Sequence, residues 1–135
     1  MKKKLYTAIG LMSGTSMDGI DLSVISSDGY NKFSNILDDY YEYDKKLQDQ
    51  LVRLRDVVLT KKDLLRNSEK LRELERNLTL FHANAVNQSL KKYRNPIDLI
   101  VRESIICFSA PSTVLLLSVS SILKMNLPPL FFAIK

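Results

Sequence analysis

The hydrophobic period of this chain changes once, at Asp44, and that switch confines what it can fold into. Before Asp44 the apolar residues fall into short β-rich runs. Lys4–Met12 and Ile20–Ser27 read as two strands, and in the second Leu22, Val24 and Ser26 oppose Asp21, Ser23 and Ile25. Asp28-Gly29 is a hairpin signal, because glycine readily takes positive φ, and the aromatic-rich stretch Tyr30–Tyr43 reads as a third strand. An antiparallel meander is the simplest assembly. After Asp44, a good helix cap, Leu47, Leu51, Leu54 and Val58 recur at helical spacing. Thr60 is a second candidate cap, opening a long helix that ends near Lys92 and carries the apolar stripe Leu71, Leu74, Leu78, Phe81 and Ala85. Asn95-Pro96 stops that helix, and Ile97–Ile100 begins a strand. The predicted order is βββ-α-α-β, an α/β chain.

Length and charge narrow the class. At 135 residues the chain suits one compact domain. A net charge of +5 could point to nucleic acid, but from Lys45 to Arg76 the basic residues are interleaved with Asp and Glu, as on solvated helix faces. Lys2, Lys3 and Lys4 precede too short an apolar run for a secretory signal. The single cysteine, Cys107, cannot form an internal disulfide and has no partner at metal-ligand spacing. No nucleic-acid, export or zinc role is expected.

Beyond Ile100 the character changes. Only Arg102, Glu103, Lys124 and Lys135 carry charge, and Pro111, Pro128 and Pro129 interrupt a Ser-, Leu- and Ile-rich run. Ser104–Leu123 is 20 uncharged residues, nominally a membrane span, yet it holds Pro111, Thr113 and six serines, so no membrane helix is expected.

One segment concentrates chemistry. Ser13-Gly14-Thr15-Ser16-Met17-Asp18-Gly19-Ile20-Asp21 joins the first two predicted strands. Glycine allows close approach of the backbone, successive N–H groups in a tight turn make an anion-binding concavity, and the Thr15 and Ser16 hydroxyls add donors. Asp18 and Asp21 could orient magnesium through its water shell. The same residues are also ordinary hairpin chemistry, and spacing alone weighs the two readings equally. It is neither a Walker loop nor a dinucleotide-binding fingerprint, since no Gly-Lys-Ser/Thr follows at the required distance.

The run Ile9-Gly10-Leu11-Met12-Ser13-Gly14-Thr15-Ser16-Met17-Asp18-Gly19-Ile20-Asp21 resembles the amino-terminal signature of anhydro-N-acetylmuramic acid kinases. The segment Leu74–Val86 followed by Ile97-Asp98-Leu99-Ile100 is similar to that family in order and spacing. The resemblance implies an actin-like fold of the sugar-kinase, ribonuclease H-like class, of which residues 1–100 are a partial ATP-binding lobe and 101–135 an aberrant apolar tail. It implies ATP and magnesium as cofactors, with Gly14, Thr15, Ser16, Met17, Asp18, Gly19, Ile20 and Asp21 as the ATP-binding segment. The implied substrate is a small amino sugar, 1,6-anhydro-N-acetylmuramic acid, hydrolysed and phosphorylated in peptidoglycan recycling in the cytoplasm by an enzyme that is homodimeric in the family.

In the family the strand matching Ile97–Ile100 runs into a Gly-x-His-Gly-Gln-Thr motif, whereas here Val101-Arg102-Glu103-Ser104 follows. No catalytic base is nominated. A frameshift after Ile100 and an inactive chain are the expectation, with a non-catalytic remnant or interaction fragment as the alternative. Elsewhere, His82, without an acidic or cysteine partner, reads as structural, and Cys107 as a spectator. Tyr40, Tyr41 and Tyr43 read as packing, because Asp38, Asp39, Glu42 and Asp44 would repel a phosphate backbone.

Overall fold

The structure, a computed structural model, describes residues 4–104 and 123–124. Three strands follow one another as the meander that alternation predicts: β1 (Tyr6–Ser13), β2 (Gly19–Ser27) and β3 (Phe33–Glu42). β2 is antiparallel to both neighbours, with Ile9 opposite Val24 and Asp21 opposite Tyr40. The β2–β3 turn is built on Asp28, whose carboxylate accepts from the N–H groups of Tyr30, Asn31 and Lys32, with Gly29 at φ 72°. The third strand starts three residues later than its aromatic content suggests, because Tyr30 to Lys32 are used by this turn.

Three helices separate β3 from the last pairing of β1. α1 (Lys45–Val57) is capped by Asp44, which accepts from the Leu47 N–H at 2.8 Å, and it buries Leu47, Leu51 and Leu54. α2 (Lys61–Arg66) starts with a capping box, Thr60 and Asp63 satisfying each other's backbone N–H. α3 (Ser68–Lys92) buries Leu74, Leu78, His82, Ala85, Val86 and Ser89. The single long helix expected from Thr60 to Lys92 is therefore two. Asn67 breaks it at φ −103°, ψ 15°, with its side-chain amide donating to the Asp63 carbonyl at 2.8 Å. Leu71 and Phe81 of the expected stripe are only partly buried, against the core that Leu74, Leu78 and Ala85 enter.

β4 (Leu99–Ser104) then lies parallel to β1, Ile100 beside Ile9, and runs past Ile100 through the residues where composition changes. Its start is clasped by two bonds of 2.8 Å: Thr7 N–H donates to the Asp98 carboxylate, and Asp98 N–H donates to the Thr7 carbonyl. A two-residue β5 (Leu123–Lys124) pairs antiparallel with β4, giving the order β3-β2-β1-β4-β5. Ile9, Leu11, Ile20, Leu22 and Val24 project from one face into a core shared with Leu47, Leu51, Leu54, Leu74 and Leu78. On the opposite face Tyr6, Met12, Tyr40 and Val101 are exposed. Among the described residues no helix is long and apolar enough to cross a membrane. Cys107 and most of the apolar stretch Ser104–Leu123 lie outside the described residues.

Candidate functional site

The β1–β2 loop is anchored at both ends. Ser13 closes β1 and is buried, its hydroxyl sharing a hydrogen bond of 2.6 Å with the Tyr43 hydroxyl. At the other end the Asp18 carbonyl accepts from the Tyr43 N–H at 2.8 Å, and Ile20 is fully buried. Between them Met17 sits at φ 56°, left-handed backbone that costs a non-glycine residue about 1–2 kcal/mol. The Met17 side chain is 1% exposed, and burying it recovers about 1.5–3 kcal/mol, enough to hold the turn. The Met17 N–H closes the turn on the Gly14 carbonyl at 3.3 Å.

This anchoring divides the eight candidates Gly14–Asp21. Thr15, Ser16 and Asp18 are exposed, with half-buried Gly14 beside them. Met17, Gly19 and Ile20 are buried and shape the loop from beneath. Asp21 is exposed but lies within β2, between Met12 and Tyr40. The two glycines differ. Among the described residues a Cβ on Gly14 would meet only the Ser16 hydroxyl, at 3.7 Å, so none of them demands a glycine there. A Cβ on Gly19 would lie 2.5 Å from the Tyr41 carbonyl and 2.6 Å from the Tyr40 ring, so β2 and β3 pair there only because the side chain is missing.

Electrostatics at the loop are negative. The Ser16 hydroxyl donates to Asp18 at 2.5 Å, and this bond above all holds the Asp18 carboxyl below its ordinary range. Tyr40 is pushed up, first by desolvation and then by the charges of Asp18, Glu42 and Asp21. Bare phosphate would be repelled here, and a phosphate carrying a divalent cation would be drawn in. Among the described residues no three His, Cys, Asp or Glu side chains gather to hold a metal ion by themselves. Two exposed carboxylates, Asp18 and Asp21, both act on Tyr40, and one or two carboxylates plus phosphate oxygens are the ligands magnesium takes while keeping its waters.

The other tempting residues fall elsewhere. His82 is buried in α3 with Nδ1 2.7 Å from the Leu78 carbonyl, which can only accept, so Nδ1 carries the proton. Tyr43 packs edge-on to Phe81, centroids 4.9 Å apart, and the Tyr41 hydroxyl bonds to Ser89 at 2.7 Å. Sequence reasoning missed the Ser13–Tyr43 pairing. Its signal was parity: Ile9, Leu11 and Ser13 share one face of β1, as Leu37, Asp39, Tyr41 and Tyr43 do at β3, but only strand order brings the two hydroxyls together.

A family model described as anhydro-N-acetylmuramic acid kinase matches residues 6–111. An anhydro-N-acetylmuramic acid kinase of Pelagibacter ubique is 46% identical over 98 residues, covering 73% of this chain and 26% of the relative. Those of Agrobacterium fabrum and Rhizobium etli are 40% and 38% identical, covering 72% and 70% of this chain and 27% and 26% of theirs. The chain thus spans about a quarter of the length of the curated relatives it matches, and the residues the family model matches hold β1 to β4 and the loop between β1 and β2. With a match across nearly all of the described sheet and helices, the chain belongs to the anhydro-N-acetylmuramic acid kinase family.

Proposed function

We propose that the Gly14–Asp21 segment receives the phosphates of ATP with magnesium, as part of the phosphorylation of 1,6-anhydro-N-acetylmuramic acid. The overall reaction opens the anhydro ring with water and gives N-acetylmuramic acid 6-phosphate, a cytoplasmic step in peptidoglycan recycling. The observation that supports this reading is the open side of Gly14: its surroundings tolerate a Cβ, so the glycine is explained by something that approaches from outside. Magnesium, when bound, neutralises phosphate charge, and Asp18 and Asp21 are the carboxylates that would hold its water shell. The Thr15 hydroxyl would donate to a phosphate oxygen, the Ser16 hydroxyl holds the Asp18 carboxylate, and Met17 and Ile20, fixed in the core, keep the loop preorganised. These residues bind and orient; no group among the described residues is assigned as the base that activates water.

Calorimetric titration of the chain with MgATP tests the reading. Gly14→Ala is expected to weaken binding about tenfold or more, because the added methyl occupies the space the phosphates need, while leaving the fold intact. Equal MgATP affinity in wild type and Gly14→Ala would return the loop to a plain hairpin turn.

A further inference from the structure

Tyr43 touches both ends of the loop. Its backbone N–H donates to the Asp18 carbonyl at 2.8 Å, and its hydroxyl shares a 2.6 Å hydrogen bond with Ser13. Both hydroxyl partners are buried, Tyr43 at 4% and Ser13 at 2% exposure, so the bond is sheltered from competition by water. The ring is itself held by Phe81 of α3, edge-on at 70°. The residue that follows β3 therefore spans from the exit of the loop back to its entrance and leans on the helix layer.

We infer that Tyr43 is a positioning residue for the phosphate loop, a clamp whose hydroxyl fixes Ser13 while its backbone fixes Asp18. The inference rests on the phosphate-binding reading of the loop and adds to it the element that sets the loop's shape. Breaking the clamp frees Gly14, Thr15 and Ser16 to fluctuate without removing any group that would touch a ligand. A tyrosine that served the core alone would lower global stability and leave the loop no more mobile than the rest.

Tyr43→Phe keeps the ring, its packing and the backbone N–H, and deletes only the hydroxyl. Residue-resolved amide hydrogen exchange of the full chain in wild type, Y43F, S13A and the double variant reads the clamp directly. In Y43F the amides at 17 and 43, bonded to the Gly14 and Asp18 carbonyls, are expected to exchange about tenfold faster, while those of Val24 and Leu51 keep their rates. S13A should give the same acceleration and the double variant no more, as for two halves of one bond. MgATP affinity, titrated in parallel, should fall in Y43F by a similar factor. If wild type binds no MgATP, the phosphate reading falls, and the exchange rates still decide on the clamp. Unchanged loop exchange in Y43F, or an acceleration shared equally by Val24 and Leu51, overturns it.

Discussion

Gly14 and Gly19 stand at the two ends of one loop and are glycine for opposite reasons, one facing outward space and the other a neighbouring strand. Gly19→Ala drives a methyl into the Tyr41 carbonyl and is expected to cost about 2–3 kcal/mol in urea unfolding, the range for overpacking that backbone cannot relieve. Gly14→Ala should leave the urea midpoint within experimental error. A second residue-scale cluster ties β3 to α3: Ser89 donates to Asp39 at 2.9 Å, the Tyr41 hydroxyl lies within reach of both, and Lys92 meets Asp39 at 2.5 Å. Ser89 is fully buried, so Ser89→Ala should cost about 1 kcal/mol. The hydrogen bond from Lys92 is the first cause that lowers the Asp39 carboxyl, and the same bond raises Lys92. A lowered acid stabilises the fold fully above its ordinary value of 3.8 and loses that contribution as pH falls through the folded value. A raised base contributes fully below its ordinary 10.5 and loses that contribution as pH rises through the folded value. Asp39→Asn should therefore flatten the acid limb of a stability-against-pH curve; an unchanged slope below pH 3.8 would remove the cluster from the account. None of this cluster was legible beforehand, because Asp39 and Ser89 are 50 residues apart and neither belongs to an apolar pattern.

Elements were far more legible than contacts. An apolar run, an alternating one and an aromatic-rich stretch after a hairpin signal placed β1, β2 and β3, and the spacing of Leu47, Leu51 and Leu54 placed α1, because burial on one face imposes such periods directly. Asp44 and Thr60 were legible as caps for the same local reason, a short side-chain oxygen within reach of the third N–H. The break at Asn67 was not. Its neighbours Leu64 and Leu71 continue the helical spacing across it, and only the bond from its own amide to Asp63 reveals the interruption. In the candidate site, the loop and its polar residues were legible as a motif, whereas the burial of Met17 and Ile20 depended on a core assembled from distant helices. At this scale Leu78→Ala, which empties a site 3% exposed between α3 and the sheet, should destabilise the chain by about 2–5 kcal/mol. Asp44→Ala should cost about 1 kcal/mol and fray the first turn of α1, seen as loss of protection at the Leu47 amide.

Across the whole molecule the sheet is asymmetric. One face is packed under α1 and α3, while β3 is one of the two outer strands among the described residues, with Phe33 and Ile36 exposed. Asp38, Asp39 and Glu42 charge the other half of that strand and discourage strand-to-strand pairing there. Self-association, where it occurs, should run through the uncharged half. Ile36→Lys is expected to shift light-scattering mass toward monomer at high concentration, and Asp38→Val in the opposite direction.

The pairing of β1 has a consequence for how the chain comes into being. Its meander partner β2 follows it directly, but the clasp to its parallel partner joins Thr7 to Asp98, 91 positions later. At a translation rate of about 5–20 residues per second, roughly 5–20 s pass between the emergence of the two partners. Throughout that interval the central strand has an unoccupied edge, and a nascent chain of this kind is most exposed to chaperones and to premature pairing until Asp98 has emerged. Asp98, which supplies both bonds that seat β4, is thus a residue of timing as well as of structure.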